Sequence, residues 1–297
     1  MSPRINRAIE LLAQDQPIYY VGGHTGHTLT YAQGKADAAT WADYINVGME
    51  HGAFDMTGLA DYMRGLVDGG PTRSGHRTPT VIVEAPVDGT SGEIVRYHAW
   101  QFRQILARGT HGILLCQAES ADAVRAFVEA CRYPINRIGV GEGVGAGLRE
   151  GGRGVGSEPE AAPVWGLERD DYLRRADPWP LNPDGELLLG VKIESAAAIP
   201  HIEEILSVPG LGFAEMGPGD LSLSLGYFRP PTPFPPEMEA VRTRVRAACL
   251  AHGLAFLESA TPEDICAKID AGARVIAGHR EDTAQVGRAH TRRTLPV

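Results

Sequence analysis

The sequence predicts a (β/α)8 barrel, and three observations carry that prediction. Short, unbroken apolar runs alternate with helix-spaced segments, the runs number eight, and the length of 297 residues suits eight βα units. Unbroken apolar runs are what strands covered on both faces require, hence a parallel sheet with helical crossovers. Eight such units in roughly 250 residues or somewhat more is the arithmetic of the closed barrel. A doubly wound open sheet is the alternative reading of the same pattern.

In order, the runs are IYYVGG (18–23), YINVG (44–48), TVIVEAP (80–86) and GILLCQ (112–117), then ELLLGVKIES (186–195), GLGFAEMGPGD (210–220), LAFLES (254–259) and ARVIAG (273–278). Helical spacing of apolar residues fills Glu93–Arg108, Ser120–Cys131, Ala196–Leu206, Pro236–Leu250 and Pro262–Ala271. Two stretches break the rhythm. Residues 140–185 are rich in Gly, Pro and charge, with only WGLERDDYLRRA (165–176) reading as helix, and residues 229–236 are a Pro-rich loop. The strand pattern resumes after both. The chain therefore reads as one barrel domain over 1–297 with a long loop insertion at about 140–185.

Hydrophobic residues at 43% and charged residues at 22% are ordinary for a globular chain of this size. Such a chain can bury a large core without a structural metal or disulfide. The 28 Lys and Arg against 37 Asp and Glu give a net charge of -9, which argues against nucleic acid or an anionic membrane as partner. Cys116, Cys131, Cys249 and Cys266 are scattered without a CxxC and read as free thiols in a reducing cytosol. The opening MSPRINRAIELLAQDQ holds only a short apolar run, and no stretch approaches a membrane span, so a soluble cytoplasmic protein is expected.

In such a barrel the reacting groups gather at the C-terminal strand ends. Those ends carry His24 and His27, Glu50 and His51, Glu84, Cys116, Gln117 and Glu119, Lys192 and Glu194, Asp220, Glu258 and His279. Glu194 and Asp220 stand one βα unit apart, at the mouths of adjacent strands. Neighbouring carboxylates repel unless a cation lies between them, and a hard divalent ion fits that need. Taken singly, Asp220 reads as a cap of LSLSLG and Glu194 as a dipole partner of the next helix. Together, at this spacing, they favour the ion. The glycines of MGPGDLSLSLG (216–226) let backbone amides approach a ligand, so Gly217, Pro218 and Gly219 are expected to hold the carboxylate of a small acid. His51, in GMEHGAFD (48–55), is placed to accept or donate a proton beside a chelated carbonyl compound.

Four tracts, MEHGAFD (49–55), CRYP (131–134), KIESAAAI (192–199) and GPGDLSLSLG (217–226), resemble in order and spacing the signature segments of the HpcH/HpaI aldolase/citrate lyase family. These are metal-dependent class II aldolases acting on 2-keto acids. The resemblance runs from about the second strand to the sixth. It implies a (β/α)8 barrel assembled as trimers or hexamers, with the last helix exchanged between subunits. Carried over by position, it puts a divalent cation (Mg2+, Mn2+ or Co2+) on Glu194 and Asp220. It also makes His51 the catalytic histidine and sets the substrate carboxylate against Gly217, Gly219 and Asp220. The implied reaction is carbon–carbon lysis through a metal-stabilised enolate.

The chain departs from the family pattern at four places. Glu84 and Ala85 stand where the aldolases carry an Arg at the end of strand three, and Gly48 replaces an Asp ahead of the Glu-His pair. Ala107 replaces another Asp that pairs with the histidine, and Lys192 stands where relatives often have Gln. Lys192 is then the substitute cation, and His24, Gln117 and Glu84 are further substrate-binding candidates. His27 and His111 are alternative proton relays. Glu84 would repel a second carboxylate, which predicts a bulkier or less acidic substrate. Trp165, Tyr172 and Trp179 of the insertion are expected either to wall the substrate site or to pack between subunits. The expected function is a divalent-metal-dependent lyase of the aldolase type, on a small carbonyl or carboxylate substrate. The alternatives are a metal- or metabolite-binding barrel without turnover, and a decarboxylase or CoA-ester lyase of the same wider family.

Overall fold

The eight apolar runs close into one parallel barrel in the computed structural model, which describes residues 4–141, 147–277 and 280–295. The strands are β1 (Ile18–Gly23), β2 (Tyr44–Gly48), β3 (Thr80–Asp88), β4 (Gly112–Cys116), β5 (Leu187–Ile193), β6 (Phe213–Met216), β7 (Ala255–Ser259) and β8 (Ala273–Ala277). Each pairs with the next in sequence, β4 pairs with β5 across the insertion, and β8 returns to β1. That closure decides for the barrel over the open sheet. A two-residue strand, Pro178–Trp179, lies alongside β5. His279 lies outside the described residues, as does part of the insertion.

Helix α1 (Arg7–Leu12) precedes β1, and α2 (Tyr31–Asp37), α3 (Met56–Gly69), α4 (Gly92–Leu106) and α5 (Ala121–Ala130) follow the first four strands. Asp55, Ser91 and Ser120 cap α3, α4 and α5 by accepting from Gly58, Ile94 and Ala123 backbone N–H. The insertion holds α6 (Glu158–Trp165) and α7 (Arg169–Arg175) instead of the single helix expected at 165–176. Gly166, left-handed at φ 68°, ends α6 there, and Pro159 starts it in its first turn. Expected helix Ala196–Leu206 shrinks to a 3-10 turn, Ile199–His201, and a short α8 (Ile202–Leu206), because Pro200 has no N–H for a longer helix. The remaining helices are α9 (Pro218–Ser224), α10 (Pro236–His252), α11 (Ile265–Asp270) and α12 (Glu281–His290). Within this single chain α12 packs on α11, and Arg288 donates to the Trp41 carbonyl at 2.8 Å. No helix among the described residues is long and apolar enough to cross a membrane. All four cysteines are free thiols, three of them buried.

The two-residue period of each strand sorts the barrel wall. Tyr19, Ile45, Val47, Val83, Leu115, Leu189 and Ala214 face outward under the helices. Ile18, Tyr20, Tyr44, Ile82, Leu114, Leu188 and Phe213 face the lumen, with Ile9 and Leu11 of α1 closing the floor. Two residues nearer the mouth, the same inward positions carry Asn46, Glu84, Cys116 and Glu215, with Lys192 on β5 beside them, all buried. The core thus turns from apolar to charged within one layer.

The floor absorbs several residues that the sequence offered to the site. His111, just before β4, is buried, accepts from Val81 N–H at 3.1 Å and stacks on Trp165. Burial pushes its pKa down to about 3, so it is a neutral acceptor in the core rather than a relay. Trp165 donates to the Gly109 carbonyl at 2.8 Å and Tyr172 to that of Leu106 at 3.4 Å. Trp179 packs on the floor end of the lumen cluster. These rings bury themselves within the chain at the start of β4 and β5, which corrects the expected substrate wall. The CRYP tract is an anchor: buried Arg132 donates to Asp177 Oδ1 at 2.6 Å and Oδ2 at 3.0 Å, tying α5 to the approach of β5.

Candidate active site

Glu194 directly follows β5 and is buried at the mouth. Its Oε1 accepts from the Gln117 backbone N–H at 2.7 Å. Gln117 is itself left-handed, at φ 51°, a costly conformation for a non-glycine residue and one that here aims an amide at the carboxylate. Gly217 passes so close that a Cβ there would lie 2.3 Å from Glu194 Oε2, so only glycine allows the end of β6 to approach. Burial pushes the Glu194 carboxyl up to about 8, against the pull of Lys192.

Lys192 rises from β5 into a nest of carboxylates. Its Nζ donates to Glu50 Oε2 at 2.8 Å and lies 3.6 Å from Glu84 Oε2. Burial works against the ammonium, but Cys116, Glu84, Glu215 and Glu194 more than offset it, and its pKa lies above the ordinary lysine range. Glu84 also meets His24 Nδ1 at 2.7 Å and accepts from Asn46 Nδ2 at 3.0 Å. Burial alone would raise Glu84, yet His24, Lys192 and Asn46 together bring it below its ordinary value. His24 is raised in turn, by its hydrogen bond to Glu84. Beneath them, burial pushes Glu215 up to about 7, and its Oε2 has no hydrogen-bond partner among the described residues.

Asp220 sits in the first turn of α9, where the helix dipole favours a negative charge. His51 stands over the mouth with half its side chain exposed, its Nε2 3.6 Å from Glu50 Oε2 and 4.0 Å from Asp220 Oδ2. Among the described residues, ligand-type atoms lie within 4.8 Å of one another in two groups, Glu50 with Cys116 and Glu194, and Glu50 with His51 and Asp220. Glu50 belongs to both. It is the residue that joins Glu194 to Asp220, and sequence reasoning placed it at a strand end without giving it a role. The signal was its position beside His51.

The structure brings Glu194, Asp220, His51, Lys192, Gln117, Glu84 and His24 to this one mouth. Gly217, Pro218 and Gly219 border it, but Gly217 N–H is taken by the Ile193 carbonyl at 3.0 Å and Pro218 has none. Gly219 and Asp220 carry the amides that precede the first bond of α9, made by Leu221 N–H to the Gly217 carbonyl. His27 stands apart, held by Asp37 at 2.9 Å and Tyr62 at 3.1 Å. Ala107 caps the C-terminus of α4 at the floor, so it cannot stand in for a partner of His51. At Gly48 a Cβ would lie 2.3 Å from the carbonyl oxygens of both Gly23 and His24, so no aspartate fits there without displacing the end of β1. Glu119, also at the mouth, is occupied by Ser195 Oγ at 2.6 Å.

A closed parallel barrel with hard oxygen donors, two histidines and one lysine gathered at its mouth has the layout of a barrel enzyme whose reacting groups sit at the C-terminal strand ends. A model of the family described as HpcH/HpaI aldolase/citrate lyase matches residues 94–278, more than half the chain, and the chain belongs to that family of lyases. It is 29% identical over 239 residues to a hydroxypyruvate/pyruvate aldolase of Roseobacter denitrificans, covering 79% of this chain and 76% of that protein. A 2-keto-3-deoxy-L-rhamnonate aldolase of Salmonella schwarzengrund is 31% identical over 179 residues, covering 59% of this chain and 55% of that one. The chain thus spans little more than half of that relative. Among solved structures, an HpcH/HpaI family protein from Burkholderia cenocepacia J2315 matches with a TM-score of 0.67 and 23% identity over 96% of each chain. A citrate lyase beta subunit from M. tuberculosis, complexed with oxaloacetate and magnesium, matches with a TM-score of 0.53 and 16% identity, covering 95% of this chain and 99% of that one. The two structures share the barrel.

Proposed function

We propose that the chain is a divalent-metal-dependent aldolase that makes or breaks a carbon–carbon bond beside the carbonyl of a small 2-oxo acid. The observation that carries this reading is the uncompensated charge of the mouth. Glu50, Glu84, Glu194, Glu215 and Asp220 converge there, while Lys192 is the one permanent cation that faces them among the described residues, with His24 beside Glu84 and His51 beside Glu50 and Asp220. A buried carboxyl pushed up to about 8, as Glu194 is, marks a place where a positive charge would be taken up. The donor set is hard oxygen, which suits Mg2+ or Mn2+, with Co2+ a third choice.

Glu194 and Asp220 would hold the ion, with Glu50 in reach of both. When bound, it supplies a Lewis acid that polarises the substrate carbonyl and steadies the charge left as the bond breaks. The amides of Gly219 and Asp220 orient the substrate carboxylate at the start of α9. His51 accepts or returns the proton of the aldehyde-derived hydroxyl, directly or through a water. Glu84, already committed to His24, Lys192 and Asn46, offers no cation for a second carboxylate. The reading therefore favours a neutral, hydroxylated aldehyde partner over a diacid. A homo-oligomer, trimeric or hexameric, and a cytoplasmic location go with it.

Exchange of the pyruvate methyl protons in D2O, followed by NMR, tests the core of this proposal. Exchange should need Mg2+ or Mn2+ and stop with EDTA. His51→Ala should slow it by about 10²-fold or more while leaving metal affinity intact. Absence of exchange with metal bound would overturn the 2-oxo acid assignment.

A further inference from the structure

A second cavity, of about 620 Å³, opens on the flank of the barrel between the C-terminal half of α4, residues 153–157 and Glu160 of α6. Ala107 and Arg108, which line it, lead into the floor end of β4, so it is far from the mouth. Its size is that of a metabolite site. Its charge is one-sided. Arg103, Arg108 and Arg153 line it against a single carboxylate, Glu160, which Arg108 already binds.

Arg153 is the telling member. It is only 2% exposed, and no carboxylate among the described residues pairs with it. Nη2 donates to the Tyr172 hydroxyl at 2.9 Å, and the guanidinium lies over the Tyr133 ring, 4.2 Å from its centroid. Among the described residues Nη1 has no acceptor, and neither does Arg108 Nε. A guanidinium cannot shed its proton to escape burial, and a ring face offsets only part of the cost of an unpaired charge. An oxyanion in the cavity supplies the counter-charge that buried Arg153 lacks, and it meets the three guanidiniums from the cavity side, since Arg153 Nη1 and Arg108 Nε are themselves closed off from solvent. Arg103, held at the rim by the Gly152 carbonyl at 3.1 Å, adds a second cation. Trp100, about half exposed, offers an apolar wall for the rest of a small organic molecule.

From this geometry we infer that the flank cavity is a second binding site, for a small organic oxyanion bearing phosphate or carboxylate groups, separate from the barrel mouth. The test is calorimetry on metal-free protein, dialysed free of chelator, at constant ionic strength, with inorganic phosphate and citrate as probes. The native chain should bind at least one of them, and comparing the two tells phosphate from carboxylate recognition. Arg103→Ala should weaken binding by about tenfold, the loss of one charge-assisted contact, and Arg153→Gln should abolish it. Glu194→Gln, at the mouth, should leave it unchanged. Arg103 sits at the rim, so its variant keeps the test decisive if Arg153→Gln fails to fold. No binding of either probe overturns the inference, as does binding lost in Glu194→Gln and kept in Arg103→Ala. So does sedimentation showing that Arg103→Ala separates copies of the chain while anion binding persists, because the cavity would then be an intersubunit surface.

Discussion

The two ends of the barrel treat buried carboxylates in opposite ways. At the floor three of them are met by arginine: Asp43 by Arg293 and Arg288, Asp177 by Arg132, Glu186 by Arg175 and Arg4. At the mouth Glu258 is met by Arg242, but Glu50 and Glu84 share one lysine, with His24 on Glu84, Glu194 has a backbone amide, and Glu215 keeps an oxygen without a partner among the described residues. Both ends lie on the same eight strands, so the contrast is not one of fold. The floor's charges are closed pairs that hold the structure. The mouth's charges await something else, and the strain at Gln117 is kept there too.

Variants at each end should separate these roles. Glu194→Ala or Asp220→Ala should abolish measurable Mg2+ or Mn2+ binding by calorimetry and reduce lyase turnover by about 10³-fold or more. Unchanged metal affinity in both would mean that the ion, if any, sits elsewhere. At the floor, Asp177→Asn strands the fully buried Arg132 and should cost about 3–5 kcal/mol in urea unfolding. The folded fraction should keep its metal affinity and kcat/KM. A comparable loss of metal binding in this variant would erase the distinction between the ends.

Much of this contrast was legible in the sequence, and the part that was not has a physical cause. Alternating apolar runs gave the eight strands, since burial on both faces leaves an unmistakable composition. Glu194, Asp220 and His51 could be singled out as candidates because strand ends and spacing place them at one mouth. Glu50 went unassigned because its role depends on reaching Lys192 across the lumen, a contact between β2 and β5 that no local pattern encodes. Lys192 and Glu84, taken separately as a substrate cation and a repelling anion, lie 3.6 Å apart and largely answer each other. His111 was misplaced for a simpler reason: it precedes the start of β4, which in an all-parallel barrel is the floor end, so its position was already legible. The family match, beginning at residue 94, includes Glu194 and Asp220 but not β1 to β3, where Gly48 and Glu84 stand at two of the positions read as departures from the family pattern.

The last expected effect distinguishes the two ends by sign. His111, ordinarily near 6.5, is pushed down to about 3 by burial at the floor. The unfolded chain therefore binds a proton that the native chain refuses, so this histidine's contribution is present above pH 6.5 and is lost as the pH falls toward 3. Glu194 and Glu215, ordinarily near 4.5, are pushed up to about 8 and about 7 by burial at the mouth. Their contribution is present below pH 4.5 and is lost as the pH rises through 7 and 8, because the native chain then holds protons that the unfolded chain has released. A melting-temperature profile in EDTA should therefore fall on both sides of an optimum. His111→Asn, which keeps an acceptor for Val81 N–H, should flatten the acid limb alone. Glu194→Gln should flatten the alkaline limb alone, and saturating Mg2+ should do the same to the native chain by taking the place of the protons. If either substitution moved both limbs, the ends would be coupled through the lumen, and the separation of a stabilising floor from a reactive mouth would have to be given up.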